Sequence, residues 1–140
     1  MNDIQYTKYL FDSVKKISFA NPGVIRDTYG KGENLTHDFL IKEANKFTKD
    51  IIIDYGGNFL ATYPGKLKKK IVIGSHLDSQ KHGGNFDGLT GVIMGLVLIK
   101  FFFENNIRPK YSISVMGLSL IHICRCRRST LCRSRWSPYH

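Results

Sequence analysis

Lys70-Ile71-Val72-Ile73-Gly74-Ser75-His76-Leu77-Asp78-Ser79, read on to Gly83-Gly84-Asn85-Phe86-Asp87-Gly88, is the stretch that decides the fold. KIVIGS (70–75) is a continuous β-branched run, which predicts a strand buried on both faces of an α/β sheet. A polar, glycine-bearing loop follows from His76 to Phe86. Residues 87–106 then read as a long apolar helix, stopped before Pro109, and YSISVMG (111–117) as a second buried strand. Strand, loop, helix and strand in that order make a βαβ unit, so the sheet is expected to be mainly parallel. In such sheets chemistry gathers at the carboxyl ends of the strands, where the loop from 76 to 87 begins.

Working outward, Ile4, Tyr6, Leu10, Phe11, Val14 and Ile17 fall near a 3.6-residue period and predict an amphipathic helix over 3–17. Asn21-Pro22-Gly23 stops it. VIRDTYGKGEN (24–34) has no period and reads as a loop. Thr36 has the chemistry of a helix N-cap, and a helix is expected over 37–48 with Phe39, Leu40, Ala44 and Phe47 on one face. IIIDY (51–55) reads as a strand turned by Gly56-Gly57 into a second one, NFLATY (58–63). Pro64-Gly65 and the lysines at 66 and 68–70 read as an exposed turn whose charges mark a solvated edge. The expected class is therefore α/β: a mainly parallel sheet with flanking helices and an N-terminal helical segment.

Composition narrows the function classes. Apolar residues make up 42% of the 140 and charged residues 23%, the range of globular chains and not of disordered ones. A net charge of +10 suggests nucleic acid or membrane, but it is unevenly placed. Five arginines and no acid lie in 118–140, which leaves 16 basic and 11 acidic residues in 1–117. All three cysteines and the tryptophan also lie in that last stretch, so disulfides and thiolate metal sites are excluded from the body. The opening MNDIQYTKYLFDSVKK has no apolar core of a secretory signal, and Gly91 to Phe103 is too short to span a bilayer. These features set the expectation of a cytoplasmic protein with no membrane or nucleic-acid partner.

The chemistry sits in the 74–88 segment. His76 leaves a strand at its carboxyl end, where one ring nitrogen can reach a metal. Asp78, two residues on, points to the same side if the extended geometry persists, and its carboxylate can then accept the other ring N–H. Asp87 opens the next helix, where an anion suits both the helix dipole and a cation. Gly83, Gly84 and Gly88 suit the sharp path between them. Taken singly, His76 is as easily a structural histidine and Asp87 a helix cap. The ensemble of buried strand, His-x-Asp, glycine-bearing loop and Asp-Gly before an apolar helix is what points to metal.

GSHLDSQKHGGNFDGLTGVIMGL resembles the first metal motif of the hydantoinase/carbamoylase-type metal-dependent amidases. That family includes N-carbamoyl-L-amino-acid hydrolases, allantoate amidohydrolases and β-ureidopropionases, within the wider group of co-catalytic zinc exopeptidases and aminoacylases. GVIRDTYGKGENLTHDFL and DYGGNFLATYPG are similar to its preceding segments, so the likeness runs over roughly residues 20–117. It implies that His76 is a ligand of one metal, that Asp87 bridges two, and that Asp78 is the acid orienting His76. The implied reaction is hydrolysis of a linear amide or ureide C–N bond with two divalent ions, zinc, manganese or cobalt. Also implied are a small-molecule substrate and a homodimeric parent. The family's general base belongs to a Glu-Glu pair that would fall just past Gly117. It is absent from this sequence, as are the remaining histidine ligands and the substrate-binding lid. An aminoacylase or metallopeptidase of the same group is the alternative, and GGNFDG favours the amidase branch.

LSLIHICRCRRSTLCRSRWSPYH (118–140) has no acid, no glycine and no period. It resembles the in-frame translation of a transposase mosaic-end sequencing adaptor. The chain is thus expected to divide into 1–117, the N-terminal part of a catalytic domain, and 118–140, a non-native tail with no packed position. Read as native, the tail would suit a basic nucleic-acid-binding module or a Cys-x-Cys metal motif.

Overall fold

Asn2 starts the first helix, α1 (Asp3–Ser18), through a capping box: its side chain accepts the Gln5 N–H at 2.9 Å and its own N–H donates to Gln5 Oε1 at 3.3 Å. Tyr6, Leu10 and Val14 form the buried stripe that the apolar spacing predicts. The structure, a computed structural model, describes residues 1–119. Readings made for 120–140 lie outside the described residues.

The second helix, α2 (Lys31–Ala44), starts six residues before the expected position. Thr36 is not its cap but lies inside it, with its hydroxyl bonded to the Gly32 carbonyl at 2.8 Å. The reason is chemical. The buried face of α2 carries Glu33, Thr36, His37 and Glu43 beside Leu40 and Ala44, so its period is written mostly in polar residues. Hydrophobic patterning cannot detect such a face.

Strands β1 (Asp50–Ile53) and β2 (Phe59–Tyr63) form the expected hairpin. Strand β3 (Leu67–His76), helix α3 (Leu89–Glu104) and strand β4 (Tyr111–Leu118) form the βαβ unit, with β3 and β4 parallel. The sheet order is β1-β2-β4-β3. It is mixed and not mainly parallel, because the hairpin returns β2 antiparallel and β2 pairs antiparallel with β4.

That order also corrects the expectation for KIVIGS. Among the described residues β3 has β4 as its sole neighbour, and Ile71 and Val72 are about half exposed. The lysines at 68–70 lie within β3 itself, as an edge strand's charges do. β4 is the buried strand, with Val115 fully covered by α3. Gly95 makes that approach possible: a Cβ there would stand 2.8 Å from Val115 Cγ2. Leu89, Val92, Ile93, Leu96 and Ile99 of α3 complete one core with Tyr6, Leu10 and Val14 of α1 and Leu40 and Ala44 of α2. Lys100, 2% exposed, ties α3 to α1 through Asp3 at 2.7 Å, and it also pairs with Glu104. Among the described residues no helix is long and apolar enough to cross a membrane.

At the tail boundary, β4 runs one residue past Gly117. Leu118 pairs opposite His76, and the buried Ser119 N–H donates to Asn58 Oδ1 at 3.2 Å. The first two residues of the segment expected to be unpacked are therefore packed.

Candidate metal centre

His76 is the last residue of β3, and the loop that follows sets its ring. Its Nδ1 lies 2.9 Å from the main-chain carbonyl of Asp78. A carbonyl only accepts, so Nδ1 is assigned the hydrogen and Nε2 is left with its lone pair. That lone-pair nitrogen lies 3.8 Å from Asp87 Oδ1. Two donors each about 2.1 Å from a tetrahedrally held ion stand roughly 3.4 Å apart. The pair therefore fits one cation with a small adjustment. The Asp87 side chain is 71% exposed and free to swing, whereas the ring, at 14%, is not. Among the described residues no group of three or more histidines, cysteines or carboxylates is placed to hold an ion, so this pair is at most part of a ligand shell.

Asp78 acts on His76 differently from the sequence expectation. Strand β3 ends at His76, and the carbonyl of Asp78, not its carboxylate, lies on Nδ1. The carboxylate lies 3.6 Å from that nitrogen with Oδ1, and its Oδ2 accepts the Thr28 hydroxyl at 2.8 Å. Asp87 likewise does not open α3. It precedes the N-cap, Gly88, and its carbonyl accepts the Leu89 N–H at 2.7 Å. Its carboxylate still stands at the positive end of the helix.

Gly88 is required there twice over. Its φ is +68°, and a Cβ would come within 2.4 Å of the His76 carbonyl and 2.5 Å of the ring. At Gly84, by contrast, a Cβ would meet nothing within 4 Å.

Residues 22–28, which carry no period, run beside this loop as a strap. Val24 and Gly83 exchange both backbone bonds at 3.0 Å, and Arg26 O accepts the Ser79 N–H at 2.7 Å. Arg26 is fully buried. Its Nε donates to Leu77 O at 2.6 Å, one Nη donates to Asp87 O at 3.2 Å, and the other reaches Asn85 Oδ1 at 3.5 Å. Burial pushes its pKa below the ordinary arginine value, while Asp87 and Asp78 pull it back up. Sequence reasoning missed Arg26 and Thr28, whose partners are remote in the chain and leave no local pattern.

Behind Asp78 lies the polar face of α2. Glu33 Oε1 stands 3.9 Å from His37 Nε2, and neither that oxygen nor His37 Nδ1 has a hydrogen-bond partner among the described residues. Burial pushes the Glu33 carboxyl up, against the Tyr29 N–H that it accepts. Burial pushes His37 down, against the pull of Asp38 and Asp78. Both groups are thereby held toward their neutral forms.

Comparison with known proteins places the chain in a family. No protein-family profile matches the chain. An N-carbamoyl-L-amino-acid amidohydrolase from Rhizobium meliloti is 32% identical over 116 residues, 76% of this chain and 27% of the relative. A hydantoinase/carbamoylase family amidase from Burkholderia multivorans superposes with a TM-score of 0.72 at 29% identity, over 79% of this chain and 28% of that one. The backbone is also similar to an assigned zinc-dependent exopeptidase from Bacteroides vulgatus, with a TM-score of 0.64 at 17% identity over 84% of this chain and 47% of that one, a likeness of fold alone. The chain thus spans about a quarter of the length of the amidases it matches. Over that shared stretch, sequence and backbone together show that it belongs to the hydantoinase/carbamoylase family of amidases.

Proposed function

We propose that this chain is the N-terminal part of a metal-dependent amidohydrolase that cleaves the C–N bond of a linear amide or ureide, of the N-carbamoyl amino acid kind. The observation carrying the proposal is the placement of His76 Nε2 3.8 Å from Asp87 Oδ1, with the opposite ring nitrogen occupied by Asp78 O. His76 and Asp87 would hold one of two divalent ions, zinc, manganese or cobalt, and the family likeness implies that Asp87 would be shared with the other. When bound, such ions supply Lewis acidity to a water and to the scissile carbonyl. The chain's own residues turn His76 Nδ1 onto the Asp78 carbonyl, keep the ring fixed against Gly88, and leave the Asp87 carboxylate open to solvent. The relative's name supports the reaction class, and the His76–Asp87 approach supports the use of metal.

Residues 1–117 supply two ligands and no general base, so hydrolysis requires residues beyond them. Assistance by a positioned base is typically worth ~10²–10⁴ in rate. We assign 118–140 to non-native sequence on its adaptor-like run. Reading the gene across codon 117 tests that assignment: a native continuation carrying Glu-Glu supports it, and the same arginine-rich reading in independent copies of the gene sinks it. For the site, manganese(II) titrated into the 140-residue chain should broaden the amide resonances of residues 76–88 selectively. His76→Ala should abolish the effect. Equal broadening in that variant would place the ion elsewhere. A protein extended to its relatives' length should then release ammonia or an amine from N-carbamoyl amino acids or allantoate only when supplied with metal.

A further inference from the structure

The geometry points to Arg26 as the positioning residue that sets the separation of His76 and Asp87. One rigid, planar guanidinium donates to the carbonyl of Leu77, the residue after His76, and to the carbonyl of Asp87 itself. It thus spans both ends of the loop, and Asn85 Oδ1 takes its remaining reach. Residues 77–88 contain no helix or strand, so their own backbone does little to hold the two ends together. The backbone ties of the strap grip the middle of the loop, Val24 to Gly83 and Arg26 O to Ser79 N, and the Thr28 hydroxyl holds the Asp78 carboxylate near its start. Among the described residues, the Arg26 side chain alone joins the residue after His76 to Asp87.

Two physical roles could keep a fully buried cation here, and they differ in consequence. As a counter-charge to Asp78 and Asp87, Arg26 would be replaceable by lysine, and its removal would strengthen cation binding by leaving two uncompensated carboxylates. As a clamp it would not be replaceable, because an ammonium on a flexible stem cannot fill three fixed, coplanar directions at once. The observed bonds favour the clamp. Its nitrogens go to two carbonyls and an amide oxygen, none of them a carboxylate oxygen. The clamp stands on the protein alone, whereas its consequence for metal rests on the reading of His76 and Asp87 given above.

The test uses the 140-residue chain as wild type, Arg26→Met and Arg26→Lys. The first readout is metal-free hydrogen exchange at the Leu77, Ser79 and Gly83 amides, with the Asp54 and Gly57 amides of the hairpin as internal reference. Loop protection should fall about tenfold or more in both variants while the hairpin amides stay unchanged. The second readout is the manganese(II) midpoint for broadening of the loop amides, which should rise about tenfold in both. Unchanged loop protection in either variant would overturn the clamp. Restoration of both readouts by lysine, or tighter manganese binding by Arg26→Met, would assign the counter-charge role instead. If the hairpin amides of Arg26→Met also exchange freely, that variant has unfolded, and Arg26→Lys decides by the same criteria. A wild-type chain that shows no loop broadening at all would sink the metal reading and leave the exchange result to judge the clamp.

Discussion

Between β1 and β2 the chain turns on residues 54–58, and one side chain shapes the turn. The Asp54 carboxylate accepts from Gly56 N at 2.8 Å, Asn58 N at 3.0 Å and Asn58 Nδ2 at 2.9 Å. Between β3 and α3 the chain travels through 77–88, and the groups that shape it come from 50 to 61 residues away: Thr28 to Asp78, and Arg26 to Leu77 and Asp87. The first loop folds on its own residues. The second is held by tertiary ties from the strap and from α1. That is a costly way to hold a loop, since closing long segments precedes any gain from the contacts. It suits a segment whose side chains must be aimed with precision.

The sharpest way to break this contrast is at Gly88. Gly88→Ala places a Cβ at positive φ against the carbonyl and ring of His76. It should cost about 2–5 kcal/mol and move the ring. Chemical denaturation gives the cost, and the His76 imidazole resonances report the ring. Gly84→Ala, in open space on the same loop, serves as the control and should be near neutral. A comparable loss at both positions would mean that the loop does not need the geometry described.

Thr28→Val comes next. It removes the hydroxyl donor to a carboxylate that is 3% exposed and should cost about 1–2 kcal/mol. If the loop is held from outside, amide exchange should rise in residues 77–83 and not in the hairpin. Asp54→Ala should show the converse at a smaller cost, about 1 kcal/mol: faster exchange at Gly56 and Asn58 and no change near His76. Crossed effects in either variant would show that the two loops are coupled after all.

The same contrast explains what the sequence made legible. The amphipathic stripe of α1, the hairpin at Gly56-Gly57, the strand–loop–helix order and the His76–Asp87 approach are all written locally, in neighbouring stretches of chain. Helix α2 was displaced because its buried face is Glu33, Thr36, His37 and Glu43, which read as a solvent face until something is found above them. The edge position of β3 was missed because an apolar run states that a strand is hydrophobic but not how many neighbours it has. The backbone role of Asp78 and the clamp at Arg26 depend on where the chain stops being extended and on what arrives from far away. Neither has a local signal.

The smallest expected effect tests the buried face of α2, through pH. Burial raises the Glu33 carboxyl above its ordinary value of 4.5, and the nearby charges of Asp78 and Asp27 push in the same direction. In the window between 4.5 and the raised value the folded chain holds more protons than the unfolded chain. Stability from this group is therefore full below that window and lost as pH rises through it. As pH rises above 4.5 the wild type carries a growing penalty for charging this buried group. Glu33→Gln keeps an oxygen to accept the Tyr29 N–H and removes the charge, so it should be modestly more stable than wild type at pH 7. The difference should shrink toward zero as the pH falls below 4.5. His37 titrates with the opposite sign: burial lowers it from 6.5, so its contribution is present above 6.5 and lost as pH falls through the depressed value. That loss occurs in both proteins and largely cancels in their difference. Denaturant midpoints measured from pH 4 to 8 would show the convergence. A constant gap between the two curves would mean that Glu33 is as well solvated as a surface carboxylate, and that the polar face of α2 is not closed over the way the site requires.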